Sequence, residues 1–536
     1  MERGFIARLW RDDAQAASLW PILVLAAVLA LALVLPGAAV VTRYVNDLLI
    51  FLDGAWRVNQ GQVPNRDFHT ALGPLNFYLP ALAARLAGGL GMAMPVATAI
   101  LVAGLAPAIA HVVSSRLRPV LGLPVAAFLL VILAVPMNLG EGIVDLSYGM
   151  FYNRVGWVAL ATLLLMHLSP TVERPGQRAI DAACAAGLAL VLIYTKASYG
   201  LVAVAFLVLM LLDPRKRLWA GAALGLVLAA GLAVEAVWRG TAGHVADLRS
   251  AILVSGDRSL PELAGFVLRN FADYILFALV TGLSLWRTRS PLDLLFYGLC
   301  AGAGLLLISQ NFQGWGIVTL HAGAAVAAER LMRAAGPEDA LARVSVPAGM
   351  PLMMLALLLP TIVHCVAALG ISAVLSATRA GDSFGIRPYE GLRIAVGMNI
   401  GDAIGNGRYL ATLRSGVALL EELEPKPKGV ATLDFVNPFS SAVGLQPPRG
   451  DTAWQHWGRN VNEHAFVPAE RMFREVEVVM EPKVAIEGIT GDNLRLVYGP
   501  YLAEHFETVR ETEDWRVLRR RKDAASPQAT LRESGP

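Results

Sequence analysis

Long apolar runs alternate with short polar loops over the first 375 residues of the chain. A window of about 20 residues, the length that crosses a membrane as a helix, gives apolar spans at 18–41, 92–115, 119–137, 154–168, 179–195, 199–212, 218–237, 271–288, 291–310, 314–332 and 347–375. This pattern predicts about eleven membrane helices. One further apolar stretch, 73–92, is interrupted by Pro80 and Gly88-Gly89, which favours an interfacial or half-inserted helix.

The distribution of Lys and Arg among the loops predicts the topology. With a cytoplasmic N-terminus, the loops with clustered basic residues all fall inside, as the positive-inside rule requires. Residues 1–17 are then cytoplasmic, 18–41 is a retained signal anchor, and 18–375 is a transmembrane domain. The same topology places three loops on the outer face: the first loop (42–91), the loop 138–153 and the loop 238–270.

The character of the chain changes after residue 375, where charged residues return. Residues 402–424 and 493–508 have helical spacing, whereas 429–435, 475–480 and 515–519 are typical of strands. We therefore expect a soluble α/β domain over 376–522 on the outer face. A disordered tail is expected over 523–536.

Composition agrees with a polytopic α-helical membrane protein. Hydrophobic residues make up 55% of the chain and charged residues 16%, and the mean hydropathy is +0.53, all outside the range of ordinary soluble proteins. The three cysteines are far apart in apolar segments, so no disulfide framework or thiolate metal site is predicted. The chain lacks the motifs of nucleotide-driven transporters, zinc hydrolases and serine hydrolases, and nothing indicates a nucleic-acid partner.

The first loop opens on Asp47, a carboxylate at the predicted boundary between membrane and water. The spacing from Asp47 to Gln60 predicts a helix along the membrane surface. Its residues available to face lipid are Leu48, Phe51, Leu52 and Ala55. Asp53 and Arg57 lie four residues apart, which fits a surface ion pair or, alternatively, contact with a substrate.

The turn that follows presents Arg66, Asp67 and His69 as one polar cluster. A carboxylate near several cations suits sugar transfer from a polyprenyl phosphate, because the acceptor hydroxyl needs a base and the departing phosphate needs positive charge. Structural roles remain open: Asp47 as a helix cap or a partner of Arg43, Asp67 as a turn carboxylate, and His69 as a turn hydrogen-bond partner.

Other polar residues lie where predicted membrane helices meet the outer face. The candidates for holding a lipid phosphate or sugar are Tyr152, Asn153, Arg154 and Lys196. For Lys196, extension of the side chain to the membrane surface is the alternative.

The first loop resembles the GT-C superfamily of integral-membrane glycosyltransferases. Its pattern is N-D-x5-D-G-A followed by G-Q-V-P-N-R-D-F-H-T-x-x-G-P-L, similar to the bacterial branch related to protein mannosyltransferases and the aminoarabinose transferase. The resemblance implies an inverting hexosyl- or pentosyltransferase of the bacterial inner membrane with a periplasmic C-terminal domain. Asp47 would be the base, the donor a polyprenyl-phosphate-linked sugar, and the acceptor an envelope glycan, lipid or protein.

Relatives often carry a second acidic group in a later outer loop, and here Glu141 and Asp145 stand four residues apart in 138–153. With Asp47 they would offer oxygen ligands to a divalent cation such as Mg²⁺ or Mn²⁺; otherwise they are solvated loop carboxylates. Because Asp47 is followed by Leu48 and not by a second acid, a one-carboxylate base fits better than a paired metal site.

Two other classes of function stay open. A transporter or lipid-carrier flippase would carry charges inside its helices and repeated halves, which the sequence does not show. A non-catalytic envelope protein that binds glycan would tolerate Asp47→Asn.

Overall fold

The computed structural model describes residues 19–171, 173, 175–256, 258–310, 313–334, 346–395 and 400–522. The predicted cytoplasmic segment 1–17 and tail 523–536 lie outside these residues. Each predicted span coincides with a helix. The helices are α1 (Leu19–Val34), α2 (Val45–Asn59), α3 (Leu75–Ala87), α4 (Ala93–Arg116), α5 (Pro119–Ala134), α6 (Phe151–Leu165), α7 (Gln177–Thr195), α8 (Ala197–Leu211), α9 (Arg217–Trp238), α10 (Thr241–Ser255), α11 (Leu260–Arg269), α12 (Phe271–Thr288), α13 (Pro291–Gln310), α14 (Val318–Ala334) and α15 (Val346–Ala377).

The protein is a helical, multi-pass membrane protein. In the described part of the chain, five helices are long and apolar enough to cross a membrane: α4, α7, α9, α13 and α15. A sixth span results if α11 and α12, which meet at an angle of 78°, count as one broken crossing. Four shorter apolar helices, α1, α5, α6 and α8, fall below that length. The count of eleven crossings therefore stays a prediction.

The first predicted span ends earlier than expected. Helix α1 stops at Val34, before Pro36 and Gly37, and Gly37 has a positive φ of 65°. Residues Ala39–Val41 form strand β1 instead of continuing the helix.

Basic residues predicted to share the cytoplasmic face do meet at one end of the helices. Arg333 donates to Glu329 over 2.9 Å and to the carbonyl of Arg116 over 2.5 Å, and the Arg118 amide donates to Glu329 over 3.1 Å. These contacts join α4, α5 and α14. The side of the membrane on which they lie stays a prediction.

Two small sheets follow the membrane helices. Strand β1 pairs in parallel with β3 (Leu392–Ile394), whose other neighbour is the antiparallel β2 (Asp382–Ser383). Helix α16 (Ile400–Glu422) leads to a four-stranded sheet of order β4-β5-β7-β6. Its elements are β4 (Val430–Thr432), α17 (Phe439–Ala442), α18 (Ala469–Met472), β5 (Val478–Pro482), α19 (Gly488–His505), β6 (Phe506–Glu511) and β7 (Trp515–Arg520).

The C-terminal segment is docked on the first loop. Trp56 donates its indole N–H to the Leu445 carbonyl over 2.9 Å, and Gln62 donates to the Pro447 carbonyl over 2.6 Å. α2 is also covered by other helices: Leu48, Phe51, Leu52 and Ala55 are all buried. The expectation that these side chains face lipid is wrong, because this face packs against α3 and α6; the Phe51 ring lies 6.4 Å from that of Phe77 and 4.9 Å from that of Phe151.

Candidate active site

Asp47 lies in the first turn of α2, where the chain leaves Tyr44 in a left-handed conformation (φ 53°). The carboxylate is half-buried, and its Cβ packs so closely against Gly149 that a side chain at Gly149 would collide with it. Among the residues that the structure describes, none donates a hydrogen bond to this carboxylate. A helix N-terminus favours the ionised form, but burial has the larger effect and raises the pKa of Asp47 to about 7, against the opposing charge of Arg459.

Three side chains share the surroundings of Asp47. The Tyr152 ring lies 6.2 Å from Phe51 of α2, and the ammonium of Lys196 lies 5.5 Å from the centre of the Tyr152 ring. The charge of Arg459, from the C-terminal segment, acts on Asp47, Tyr152 and Lys196 alike. We call Asp47, Tyr152, Lys196 and Arg459 the Asp47 cluster.

Lys196 reaches this position because the chain breaks between two apolar helices. Its backbone is extended (φ −159°, ψ 130°) at the junction of α7 and α8. Burial, with the charge of Arg459 adding to it, lowers the pKa of Lys196 to about 8. The ammonium is therefore still the main form at neutral pH. Lys196 and Asp47 are linked through Tyr152, whose ring lies 5.5 Å from the ammonium and which the charge of Asp47 reaches.

Buried polar groups lie next to Tyr152 and Lys196 along the chain. The amide of Asn153 and the hydroxyls of Thr195 and Ser198 are buried without a hydrogen-bond partner in the described part of the chain. They adjoin Tyr152 and Lys196 in the sequence. An unpaired buried polar group costs about 1–3 kcal/mol, so a polar ligand that bonds to these groups would be stabilised here.

Arg154 is buried in the first turn of α6, the helix that also carries Tyr152, but its side chain points away from the Asp47 cluster. Its guanidinium donates to the Met137 carbonyl over 2.8 Å, and no described residue accepts from its Nε. This contact fixes the start of the loop between α5 and α6 to α6. Contact of Arg154 with a phosphate stays a prediction.

Arg57 lies in a different place from the Asp47 cluster. It is fully buried, donates from Nη1 and Nη2 to both carboxylate oxygens of Asp451 over 2.6 and 2.7 Å, and donates from Nε to Asp53 over 2.6 Å. The two carboxylates outweigh burial and raise the pKa of Arg57, while burial raises the pKa of Asp53 to about 6. The Asp53–Arg57 pair is thus buried and not on the surface, and this geometry explains Arg57 as a structural residue.

The predicted cluster of Arg66, Asp67 and His69 makes its contacts away from Asp47. Arg66 is exposed, with one guanidinium nitrogen 3.4 Å from the Trp238 carbonyl. Asp67 accepts from the Val63 amide over 2.8 Å, as a turn carboxylate does. His69 approaches Asp247 of α10, with 2.6 Å between Nδ1 and Oδ1. The structure therefore does not bring these three residues to Asp47.

Glu141 and Asp145 are both paired with one arginine. Arg43 forms ion pairs with both carboxylates, and the Tyr44 hydroxyl donates to Glu141 over 2.7 Å. A cation between two acids repels a metal ion. Within the described ranges, no group of three His, Cys, Asp or Glu side chains is arranged to hold one. These residues do not fit the Mg²⁺ or Mn²⁺ site considered from the sequence.

Sequence reasoning missed two charged residues of the C-terminal segment that act on Asp47. Arg459 belongs to the Asp47 cluster, and the charge of Glu487 also raises the pKa of Asp47. Nearby, His456 packs 6.1 Å from Trp454. The aromatic stretch around residue 456 was a visible signal, but the pairing with Asp47 spans more than 400 residues and leaves no local pattern.

Comparison with known proteins adds distant structural likenesses. No family model matches the sequence, and no curated protein matches it. The chain is similar to the crystal structure of ArnT from Cupriavidus metallidurans bound to undecaprenyl phosphate, at 14% identity and a TM-score of 0.47, over 96% of this chain and 100% of that one. For the apo structure the identity is 14% and the TM-score 0.46, over 94% and 98%. At this TM-score the likeness carries no step of the functional argument.

Proposed function

We propose that the protein is a glycosyltransferase that moves a sugar from a polyprenyl-phosphate carrier to an acceptor hydroxyl, with inversion at the anomeric carbon. The observation that carries this proposal is the Asp47 cluster: a half-buried carboxylate with a pKa of about 7 in the field of Arg459, with Lys196 on the neighbouring Tyr152 ring. A base poised near neutral pH and cations for a leaving phosphate are the two requirements of the reaction.

In the proposed step, the acceptor oxygen attacks the anomeric carbon as the bond from that carbon to the phosphate oxygen breaks. Asp47 takes the proton of the acceptor hydroxyl. The electron pair of the broken bond stays with the phosphate, which leaves as the polyprenyl phosphate. Lys196 and Arg459 offset its negative charge, and the polar groups of Asn153, Thr195 and Ser198 hold its oxygens.

The position of the cluster suits a lipid-linked donor. It lies where α6, α7 and α8 begin or end, between apolar helices and the C-terminal segment. We place this side of the protein in the periplasm of a bacterial inner membrane, with residues 376–522 as an outer domain. The acceptor is then an envelope glycan, lipid or protein.

The test is release or transfer of radiolabelled sugar from a panel of polyprenyl-phosphate sugars by the full chain in lipid nanodiscs. Wild type should turn over at least one donor, and Asp47→Asn should lose about two orders of magnitude or more. Asp382→Asn, at an exposed strand position, is the matched control and should keep the wild-type rate. Equal turnover by Asp47→Asn would refute the assignment of the base. No turnover of any donor would favour the transporter or glycan-binding alternatives.

A further inference from the structure

A cavity of about 230 Å³ lies between His69 of the first loop and the C-terminal segment. Its walls come from three separate parts of the chain: the first loop at His69, α10 at Asp247, and the C-terminal segment from Trp454 to Arg471. Pockets for drug-sized ligands occupy roughly 300–1,000 Å³. The cavity therefore suits a smaller ligand, about the size of a single ring.

The lining combines aromatic faces with polar groups. Trp454 and Phe466 supply the aromatic surface, and Gln455 and Ser250 supply an amide and a hydroxyl. The indole N–H of Trp454 is buried and has no acceptor among the described residues, so a ligand oxygen would satisfy it. Aromatic faces beside amide and hydroxyl groups are the lining that a sugar ring needs, with its apolar C–H faces and its hydroxyl edge.

The charges in the cavity favour a neutral ligand. Asp247 is fixed in the wall: it accepts from Asn65 over 2.8 Å and from the Thr70 amide over 3.0 Å, and its other oxygen lies 2.6 Å from His69. A fixed carboxylate would repel a phosphate, whereas Arg471 opposite would repel a cation. A polyol is compatible with both groups, and His69, whose Nδ1 is engaged by Asp247, can present Nε2 to a hydroxyl.

One loop joins this cavity to the Asp47 cluster. Residues 454–461 place Trp454 and Asn460 in the cavity wall and Arg459 near Asp47. The Asn460 side chain holds the loop, because it donates to the Trp454 carbonyl over 2.9 Å and accepts from the His456 amide over 2.8 Å. A ligand in the cavity thus contacts the same loop that carries Arg459.

We propose that this cavity binds a neutral pyranose or furanose ring of the acceptor, on the loop that also carries Arg459 of the Asp47 cluster. That the bound ring belongs to an acceptor rests on the proposed transferase function. The binding of carbohydrate in the cavity does not. It gives the C-terminal segment a role in choosing the acceptor.

The first test measures binding without catalysis. Methyl pyranosides of glucose, galactose and mannose are titrated by saturation-transfer NMR against the full-length Asp47→Asn protein in nanodiscs. At least one should bind, with a Kd on the order of millimolar. Trp454→Leu and, independently, Gln455→Leu should weaken it tenfold or more. Trp457→Phe, which lies outside the cavity and packs against the core of the second sheet, should not change it.

Failure of all three pyranosides to bind would overturn the proposal, as would binding that neither cavity variant weakens. Competition by inorganic phosphate at millimolar concentration would also overturn it, since the cavity would then be an anion site. Proper folding of each variant is established by its elution profile and thermal melt, and two cavity variants guard against one that misfolds.

The second test separates acceptor from donor. The pyranoside that binds is added to wild-type protein turning over a polyprenyl-phosphate sugar. If the cavity holds the acceptor, the KM for the donor stays constant and the labelled sugar is transferred to the pyranoside or its release is inhibited non-competitively. A competitive rise in the donor KM would assign the cavity to the donor sugar and overturn the proposal. A protein that turns over no donor yet binds the pyranoside through Trp454 would refute the proposed function alone.

Discussion

Replacing Arg57 with Met should destabilise the docking of the C-terminal segment on the first loop. Arg57 is fully buried and its three nitrogens donate to Asp451 and Asp53. Its removal leaves two buried carboxylates facing each other with no cation between them. Breaking a buried ion pair in this way costs about 3–5 kcal/mol, because an unpaired charge remains in a medium that solvates it poorly.

The loss should depend on pH in a defined direction. Burial already raises the pKa of Asp53 to about 6 and raises that of Asp451, and removing Arg57 raises both further. The folded variant then binds more protons than the unfolded chain above the ordinary Asp value of about 3.9, so its stability falls as the pH rises from there through the raised pKa values. The defect should be largest at pH 8 and smaller at pH 5.

Pulse proteolysis across a denaturant series, following release of the C-terminal segment, measures the change. Arg85→Met is the control, because Arg85 is exposed and bonds only to Asn59 in the described structure; its effect should stay within about 0.5 kcal/mol. The triple variant Asp53→Asn, Arg57→Met, Asp451→Asn removes all the charges and should recover much of the stability.

The triple variant also separates the two interpretations of Arg57. Recovered stability together with recovered sugar transfer would support a structural role. A loss of stability below about 1 kcal/mol in Arg57→Met at pH 8, or a stable triple variant without activity, would refute the structural role. Either result would favour phosphate binding by Arg57 instead.

Further predictions concern the Asp47 cluster and the metal. Because Asp47 must be ionised to act as a base and Lys196 protonated to hold a phosphate, kcat/KM should rise with pH up to about 7 and fall above about 8; a flat profile from pH 5 to 9 would contradict both roles. Lys196→Ala should raise the donor KM at least tenfold, with partial recovery in Lys196→Arg. Equal KM values in wild type and both variants would contradict a role of Lys196 in donor binding. Chelation with EDTA should leave the rate unchanged, because Arg43 pairs with Glu141 and Asp145; a loss restored by Mg²⁺ or Mn²⁺ would revive the metal site.

Local pattern was enough to predict where most helices lie. The helix expected over 47–60 is found at Val45–Asn59, and the apolar span expected over 179–195 is found at Gln177–Thr195. Both follow from side-chain periodicity or from apolar length, which are properties of contiguous residues. Sequence reasoning also selected Asp47, Tyr152 and Lys196, which the structure brings together.

The partners of those residues could not be predicted, because they come from distant parts of the chain. Helical periodicity identified the apolar face of α2 but not what covers it, and α3 and α6, not lipid, pack against it. The same gap explains why Arg459 was missed and why Arg57 was expected in a surface ion pair or in contact with a substrate, and not in a buried pair with Asp451. Residues 506–508 were expected to end a helix, yet they begin β6, since pairing with β7 outweighs the local pattern.

Single-turnover kinetics with Asp47→Asn would test the central claim most directly. Protein saturated with a labelled polyprenyl-phosphate sugar is mixed with acceptor, or with water where no acceptor is known, and both the donor Kd and the rate of sugar release are measured. If Asp47 is the base, the donor Kd should stay within about threefold of wild type, and the rate of sugar release should fall by roughly two to four orders of magnitude. A rate within fivefold of wild type would contradict Asp47 as the base. A lost affinity with an unchanged rate at saturation would instead make it a binding residue.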